Sequence, residues 1–223
     1  MAMSAYTLRL AEDRFPPGAG ELSLPALNRV LYVLEGAIAV TAEGVRTEVP
    51  ADRAWHGGDA CTVSAGPAGA TVLRYELVGS TGAATEAPGA ATSRTLLEQP
   101  IALDPAERYL MRCDRVDFAP GAVALPHGHK GGGIRCLIQG QLDVSVGDHP
   151  ARTMRPGDAW FESGREPVLA VASPEQPTSF VRVSILPAAI RGQSSIQYVN
   201  PADAAASTPR SYTVHVDEPI ELP

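Results

Sequence analysis

The sequence predicts an all-β chain in two lobes. Three observations carry this: apolar runs of strand length, turn residues spread evenly between them, and one strand–turn–strand pattern that occurs twice. The runs fall at 30–34, 37–41, 71–77, 135–138, 142–146, 168–172 and 180–186. Each is rich in Val, Ile, Leu or Tyr and is bounded by Gly, Pro, Asp or Ser. The 21 Gly and 20 Pro are scattered rather than tandemly repeated, so they read as frequent turns. No long stretch combines helical period with good caps. The two helical candidates, 100–107 and 202–206, are short.

Along the chain, the first clear element is a hairpin: 30–34, a Glu35-Gly36 turn, and 37–41. A polar residue followed by Gly between two apolar runs is the local signal of a tight β-turn. The second half repeats it as Ile134–Ile138, Gln139-Gly140 and Leu142–Val146. About twenty residues later each half has a Gly-Asp pair opening another strand, Gly58-Asp59 and Gly157-Asp158. The same order at the same spacing predicts an internal duplication. Two small antiparallel barrels would also remove most exposed sheet edges. Between the halves, 79–93 reads GSTGAATEAPGAATS and lacks any large apolar residue, the composition of a linker. The expected domains are therefore 1–78, a linker at 79–93, and 94–223. The last part, 198–223, extends past the repeat. Its 211–216 segment alternates like a strand, able to cover an edge of its own sheet or to add to a neighbouring subunit.

Composition narrows the function classes. Hydrophobic residues make up 44% of the chain but aromatics only 5%, so the core must rest on Val, Leu, Ile and Ala. With 25 acidic and 18 basic residues the net charge is −7, and no basic run occurs, which argues against nucleic acid as a partner. The three cysteines, Cys61, Cys113 and Cys136, form no C-x-x-C pair and read as buried free thiols. Residues 1–15 contain Arg9, Glu12, Asp13 and Arg14 and lack an apolar signal core. No run approaches about 20 apolar residues, so no membrane span is expected and a cytoplasmic protein is the default.

The residues that carry chemistry lie in the second half. Gly121 is followed by five residues and then His127-Gly128-His129; six residues from Ile134 lead to Gly140; and Arg155-Pro156-Gly157-Asp158-Ala159-Trp160-Phe161-Glu162 follows. This pattern resembles the two motifs of the cupin superfamily, well over 110–187 and more weakly over 20–78. The resemblance implies a bicupin, with a jelly-roll β-barrel from each half. The family's glutamate ligand falls on Gly133 and its late histidine near Pro167 or Val168. In the first lobe the glutamate position is Arg29 and the H-x-H region is Ser23-Leu24-Pro25. No metal is expected there through the family's ligand set.

Two histidines at i and i+2 on a strand share a face. If that face is the interior, the resemblance implies that His127 and His129 hold one divalent ion (Fe, Mn, Ni or Zn). Glu162 is the candidate third ligand, since zinc and non-haem iron sites commonly add a carboxylate or third ligand to two histidines. The other readings are a solvent-facing polar loop, or histidines that donate hydrogen bonds to an organic ligand. Arg135 shares the facing of Gly133 and could clamp an anion, as guanidinium binds carboxylates bidentately; the alternatives are solvent or pairing with an acid such as Asp114. Arg29 is expected to correspond to Arg135. Trp160 and Phe161 should split between interior and exterior. His56 reads as part of a surface turn.

The sequence thus supports two functions, beside a third, purely structural role in forming an oligomer. One is a metal-dependent small-molecule enzyme of the dioxygenase, isomerase or lyase kind, acting on a small anionic oxygenated substrate, with Arg135 and Glu162 as catalytic candidates. The other is a non-catalytic bicupin that binds a small metabolite without metal. A homodimer is expected by analogy with the family.

Overall fold

The computed structural model describes residues 4–79, 91–206 and 210–223. Most of the proposed linker lies outside the described residues. The chain divides into two compact units, residues 1–107 with 220–223, and residues 108–219. The boundary therefore falls after residue 107. Residues 92–103, expected to open the second domain and partly to form a helix at 100–107, instead make a strand that pairs with the first strand of the first unit. The strand is largely exposed, as suits the edge of that sheet.

The first unit contains β1 (Ser4–Phe15), β2 (Leu22–Leu24), β3 (Asn28–Ala42), β4 (Val45–Pro50), β5 (Ala54–Gly57), β6 (Cys61–Val78) and β7 (Thr92–Leu103). They form one antiparallel sheet in the order β4-β3-β6-β1-β7, with β2 on β6 and β5 on β3. The long strands β3 and β6 run together with register shifts at Val33/Glu35 and Gly36/Ile38, where the pair bends. Leu22, Leu31, Val33, Ile38, Val40, Val63 and Val72 fill the space they enclose.

The second unit holds β8 (Tyr109–Phe118), β9 (Val123–His129), β10 (Gly133–Gln139), β11 (Leu142–Val146), β12 (Arg152–Met154), β13 (Ala159–Glu162), β14 (Val168–Ala172), β15 (Thr178–Pro187), β16 (Ile196–Tyr198) and β17 (Arg210–Ile220). They make two five-stranded sheets, β13-β10-β15-β8-β17 and β12-β11-β14-β9-β16. Both units are cupin-type jelly rolls. The extension seen in the sequence covers the β8 edge of its own sheet as β17. The predicted helix at 202–206 is a single 3₁₀ turn, Pro201–Ala204, capped by the Asn200 side chain. Among the described residues no helix is long and apolar enough to cross a membrane. All three cysteines are buried thiols outside any disulfide.

Hydrogen bonds at the turns set the correspondence between the halves. Val33 donates to Arg53 O and accepts from Asp52; Leu137 donates to Asp158 O and accepts from Gly157. Asp52 and Gly157 both lie in the left-handed region, at φ 59° and 91°, which Asp tolerates better than most side chains. The structural partner of Gly157-Asp158 is therefore Asp52-Arg53, not the Gly58-Asp59 pair that the spacing suggested. The same frame places Arg29 opposite Gly133 and Leu31 opposite Arg135, so Arg29 does not correspond to Arg135. His56 is half-buried in β5 and pairs with Val30 rather than lying in a surface turn.

Candidate ligand-binding site

Strand β9 carries His127 and His129 between two neighbours. His127 pairs with Val168 on one side and Tyr198 on the other, and His129 pairs with Ile196. Only 6% and 5% of these residues are exposed, which excludes the solvent-facing loop. Gly128 between them is required by packing, because a Cβ there would lie 2.7 Å from Gly164 O. The rings meet edge to face with centroids 5.0 Å apart. His127 Nδ1 is 2.7 Å from Leu125 O. A carbonyl only accepts, so that nitrogen carries a proton.

Glu162 ends β13 on the same interior, with Trp160 two residues earlier on the same face. Its Oε2 lies 2.8 Å from Arg135 Nη2 and 3.3 Å from His129 Nε2. Trp160 Nε1 donates to Oε1 at 2.8 Å. Burial by itself would push the Glu162 carboxyl up; the Arg135 charge, with help from His129 and Trp160, reverses this and holds it well below the usual carboxylate range. Arg135 is 1% exposed and also donates to Gly133 O. Asp114 pairs instead with Arg182, at 2.7 Å from its Nε. Trp160 and Phe161 split as alternation requires: Trp160 is buried against Phe180 at 5.4 Å, and Phe161 is half-buried.

The structure thus brings His127, His129, Glu162 and Arg135 together, but the set fits a metal ion poorly. At Gly133, the family's glutamate position, a Cβ would lie 2.5 Å from Val183 O and 2.8 Å from Ser184 Cα, so the backbone leaves no room for any side chain. Val168, at the late histidine position, is a buried core residue. Both Glu162 oxygens are already engaged, and the Arg135 guanidinium is itself the neighbouring cation. Among the described residues no three His, Cys, Asp or Glu gather into a group able to hold a metal. In the first unit Arg29 fills the equivalent position outright. It is fully buried and bonded to Glu76, Asp59 O and Pro25 O.

The free space beside the histidines is small. About 20 Å³ remains among His127, His129, Trp160, Glu162, Phe180 and Arg182, enough for a single water molecule. Arg135 does not line it. Arg182 and Tyr212 do, and both also wall a groove of about 380 Å³ formed with Arg112, Asp114, Ser194, Ser195 and Val214. That volume lies in the range of small-molecule sites. The arginine that lines both spaces is therefore Arg182, whose Nε also pairs with Asp114, while Arg135 is turned to Glu162. Arg112 is taken up by Asp217, Gln193 O and Ile190 O. Sequence reasoning missed Arg182, Ser195 and Tyr212. Only the strand pairing of Arg182 with Arg135 and with Asp114 would have exposed the first of these.

His129 gives the site a measurable pH signature. Burial, with the charges of Arg135 and Arg182, outweighs the Glu162 contact and lowers its pKa from 6.5 to about 3. Between these values the unfolded chain binds the proton and the folded chain does not. This stabilisation is therefore complete above pH 6.5 and is lost as pH falls toward 3. Between pH 6.5 and 4.5, before carboxylates titrate, the loss is about 2–3 kcal/mol. Urea midpoints should fall across that window, and His129→Gln should flatten it; a flat wild-type profile contradicts the buried neutral imidazole.

No family model matches the sequence, and no curated protein matches it. Solved structures do match the fold. A mutant form of oxalate decarboxylase from Bacillus subtilis superposes with a TM-score of 0.63 at 14% identity, covering 96% of this chain and 86% of that one. The 11S allergen of Cocos nucifera gives 0.59 at 10% identity, with 86% and 83% covered. AerE of Microcystis aeruginosa gives 0.57 at 12% identity, with 82% and 88% covered. Identities this low establish a shared fold and nothing about activity.

Proposed function

We propose that this two-barrel cupin fold binds a small molecule without a metal ion, its second barrel taking a small oxygenated anion in the groove beside Arg182. The observation that carries this reading is the state of Glu162. This carboxylate, beside the histidine pair, is held by Arg135 and Trp160, and the backbone at Gly133 leaves no place for another. A divalent ion would have to displace a fixed guanidinium from a buried carboxylate. A ligand carboxylate, by contrast, meets a groove of suitable size whose wall presents Arg182; its Nε pairs with Asp114, and the remaining N–H groups of a guanidinium can bind a carboxylate with directional hydrogen bonds. In this reading Arg135, Glu162 and Trp160 are positioning residues that hold His129 in place.

A metal-dependent enzyme of the dioxygenase, isomerase or lyase kind is the second reading. The side-by-side burial of His127 and His129 favours it. Elemental analysis separates the two. After incubation with Fe²⁺, Mn²⁺, Ni²⁺ and Zn²⁺ in turn, followed by desalting, the protein should retain well under one metal per chain, indistinguishable from a His127→Ala/His129→Ala variant. Small oxygenated carboxylates should raise its melting temperature, and Arg182→Ala should remove that response. One equivalent of metal, lost in the double-histidine variant, overturns the metal-free reading and supports the second.

A further inference from the structure

Ser195 lies where the buried cluster meets the groove. The segment that carries it is fixed to β9 on both sides: Lys130 donates to Ser195 O at 2.9 Å, and Ile196 pairs with His129. Its Oγ is 3.3 Å from His129 Nδ1. The other ring nitrogen, Nε2, faces Glu162 Oε2, which Arg135 keeps ionised. An ionised carboxylate only accepts, so the single proton of the neutral imidazole sits on Nε2 and Nδ1 is left as an acceptor. The Ser195 hydroxyl must then give its own proton to Nδ1. A hydroxyl whose proton is committed offers only lone pairs to anything else. Ser195 is 5% exposed and forms part of the groove wall that also contains Arg182.

From this chain of donors and acceptors we infer that the groove selects a hydroxycarboxylate, its carboxylate on Arg182 and its hydroxyl donating to Ser195 Oγ. This deepens the metal-free binding reading and rests on it. The relay Arg135–Glu162–His129–Ser195 fixes the polarity of one recognition atom. An oxo acid, which has only acceptors at that carbon, meets lone pairs with lone pairs, and an unsubstituted acid leaves Ser195 without its partner. A buried acceptor left unsatisfied costs more than the net worth of a made bond, which is why such polarity discriminates strongly.

The test uses three acids of equal carbon number on the full chain: lactate, pyruvate and propionate, titrated by calorimetry. Lactate should bind about tenfold more tightly than either of the others. Ser195→Ala, with its folding checked by melting temperature, should bring the three within about twofold while still binding them. Equal affinities in the wild type, or a preference for pyruvate, overturn the polarity argument and leave the anion site standing. Failure of all three to bind, at concentrations where the groove should fill, overturns the anion-binding reading together with it. The wild-type comparison decides the matter even if Ser195→Ala does not fold.

Discussion

Arg135→Met should destabilise the protein by about 3–5 kcal/mol at pH 7, the cost typical of removing one partner from a buried ion pair. The guanidinium is 1% exposed and lies 2.8 Å from Glu162 Oε2. Methionine matches the aliphatic stem but leaves the carboxylate with only Trp160 Nε1 and His129. Without the positive charge, burial dominates and the Glu162 carboxyl moves up. The loss should therefore shrink as pH falls and the acid protonates in the fold. Adding Glu162→Gln should recover most of the stability, because a neutral amide does not need the missing charge. Urea titrations of the two single variants and the double variant give the coupling energy directly. A loss below about 1 kcal/mol in the single variant, the size of an exposed pair, contradicts the buried pairing.

The second large effect is expected in the first unit, at Arg74→Met. Arg74 spans two carboxylates, with Nε 2.7 Å from Asp13 Oδ2 and Nη1 2.7 Å from Glu76 Oε2. Asp13 is 1% exposed and Glu76 fully buried. Glu76 keeps Arg29 at 3.2 Å and Arg9 at 3.8 Å, whereas Asp13 keeps, among the described residues, only the Ser93 hydroxyl. The expected loss is again about 3–5 kcal/mol. The natural repair is Asp13→Asn rather than Glu76→Gln, since Asp13 loses more. Lactate binding should be unchanged in whatever fraction stays folded, because Arg74 belongs to the other unit. A ligand-affinity change there, with the fold intact, contradicts the assignment of the groove to the second unit.

The two networks also show how differently the two barrels have filled one position. Arg29 plugs the first barrel where the second has Gly133, and Gly133 is pressed against Val183 and Ser184. Neither outcome leaves the glutamate that the family motif would place there. The fold itself was legible in the sequence. The runs at 30–34 and 37–41 lie within the single strand β3, so Glu35-Gly36 is an irregularity in that strand, with Gly36 at φ 75°, and not the hairpin turn expected. Those at 142–146 and 168–172 became β11 and β14, and Gln139-Gly140, with Gly140 at φ 78°, leads from β10 to β11 in the other sheet rather than closing a hairpin. That His127 and His129 share a face followed from their i, i+2 spacing; that this face is the buried one did not. The Gly58-Asp59 match failed because two residues of similar type stood near the spacing expected, while the backbone used Asp52 in the left-handed region instead.

What the sequence determined by itself is local. Strand period and the facing of residues two apart depend only on near neighbours and on the steric map of each residue, and a reader of the chain can follow them. Only the tertiary structure decided the chemistry. The partners of Glu162 include Arg135, 27 residues earlier, and His129, 33 residues earlier; His129 in turn meets Ser195, 66 residues later. Nothing along the chain encodes those distances. They arise when antiparallel strands choose neighbours and register, and a shift of one residue would turn every one of these side chains to the other face of its sheet.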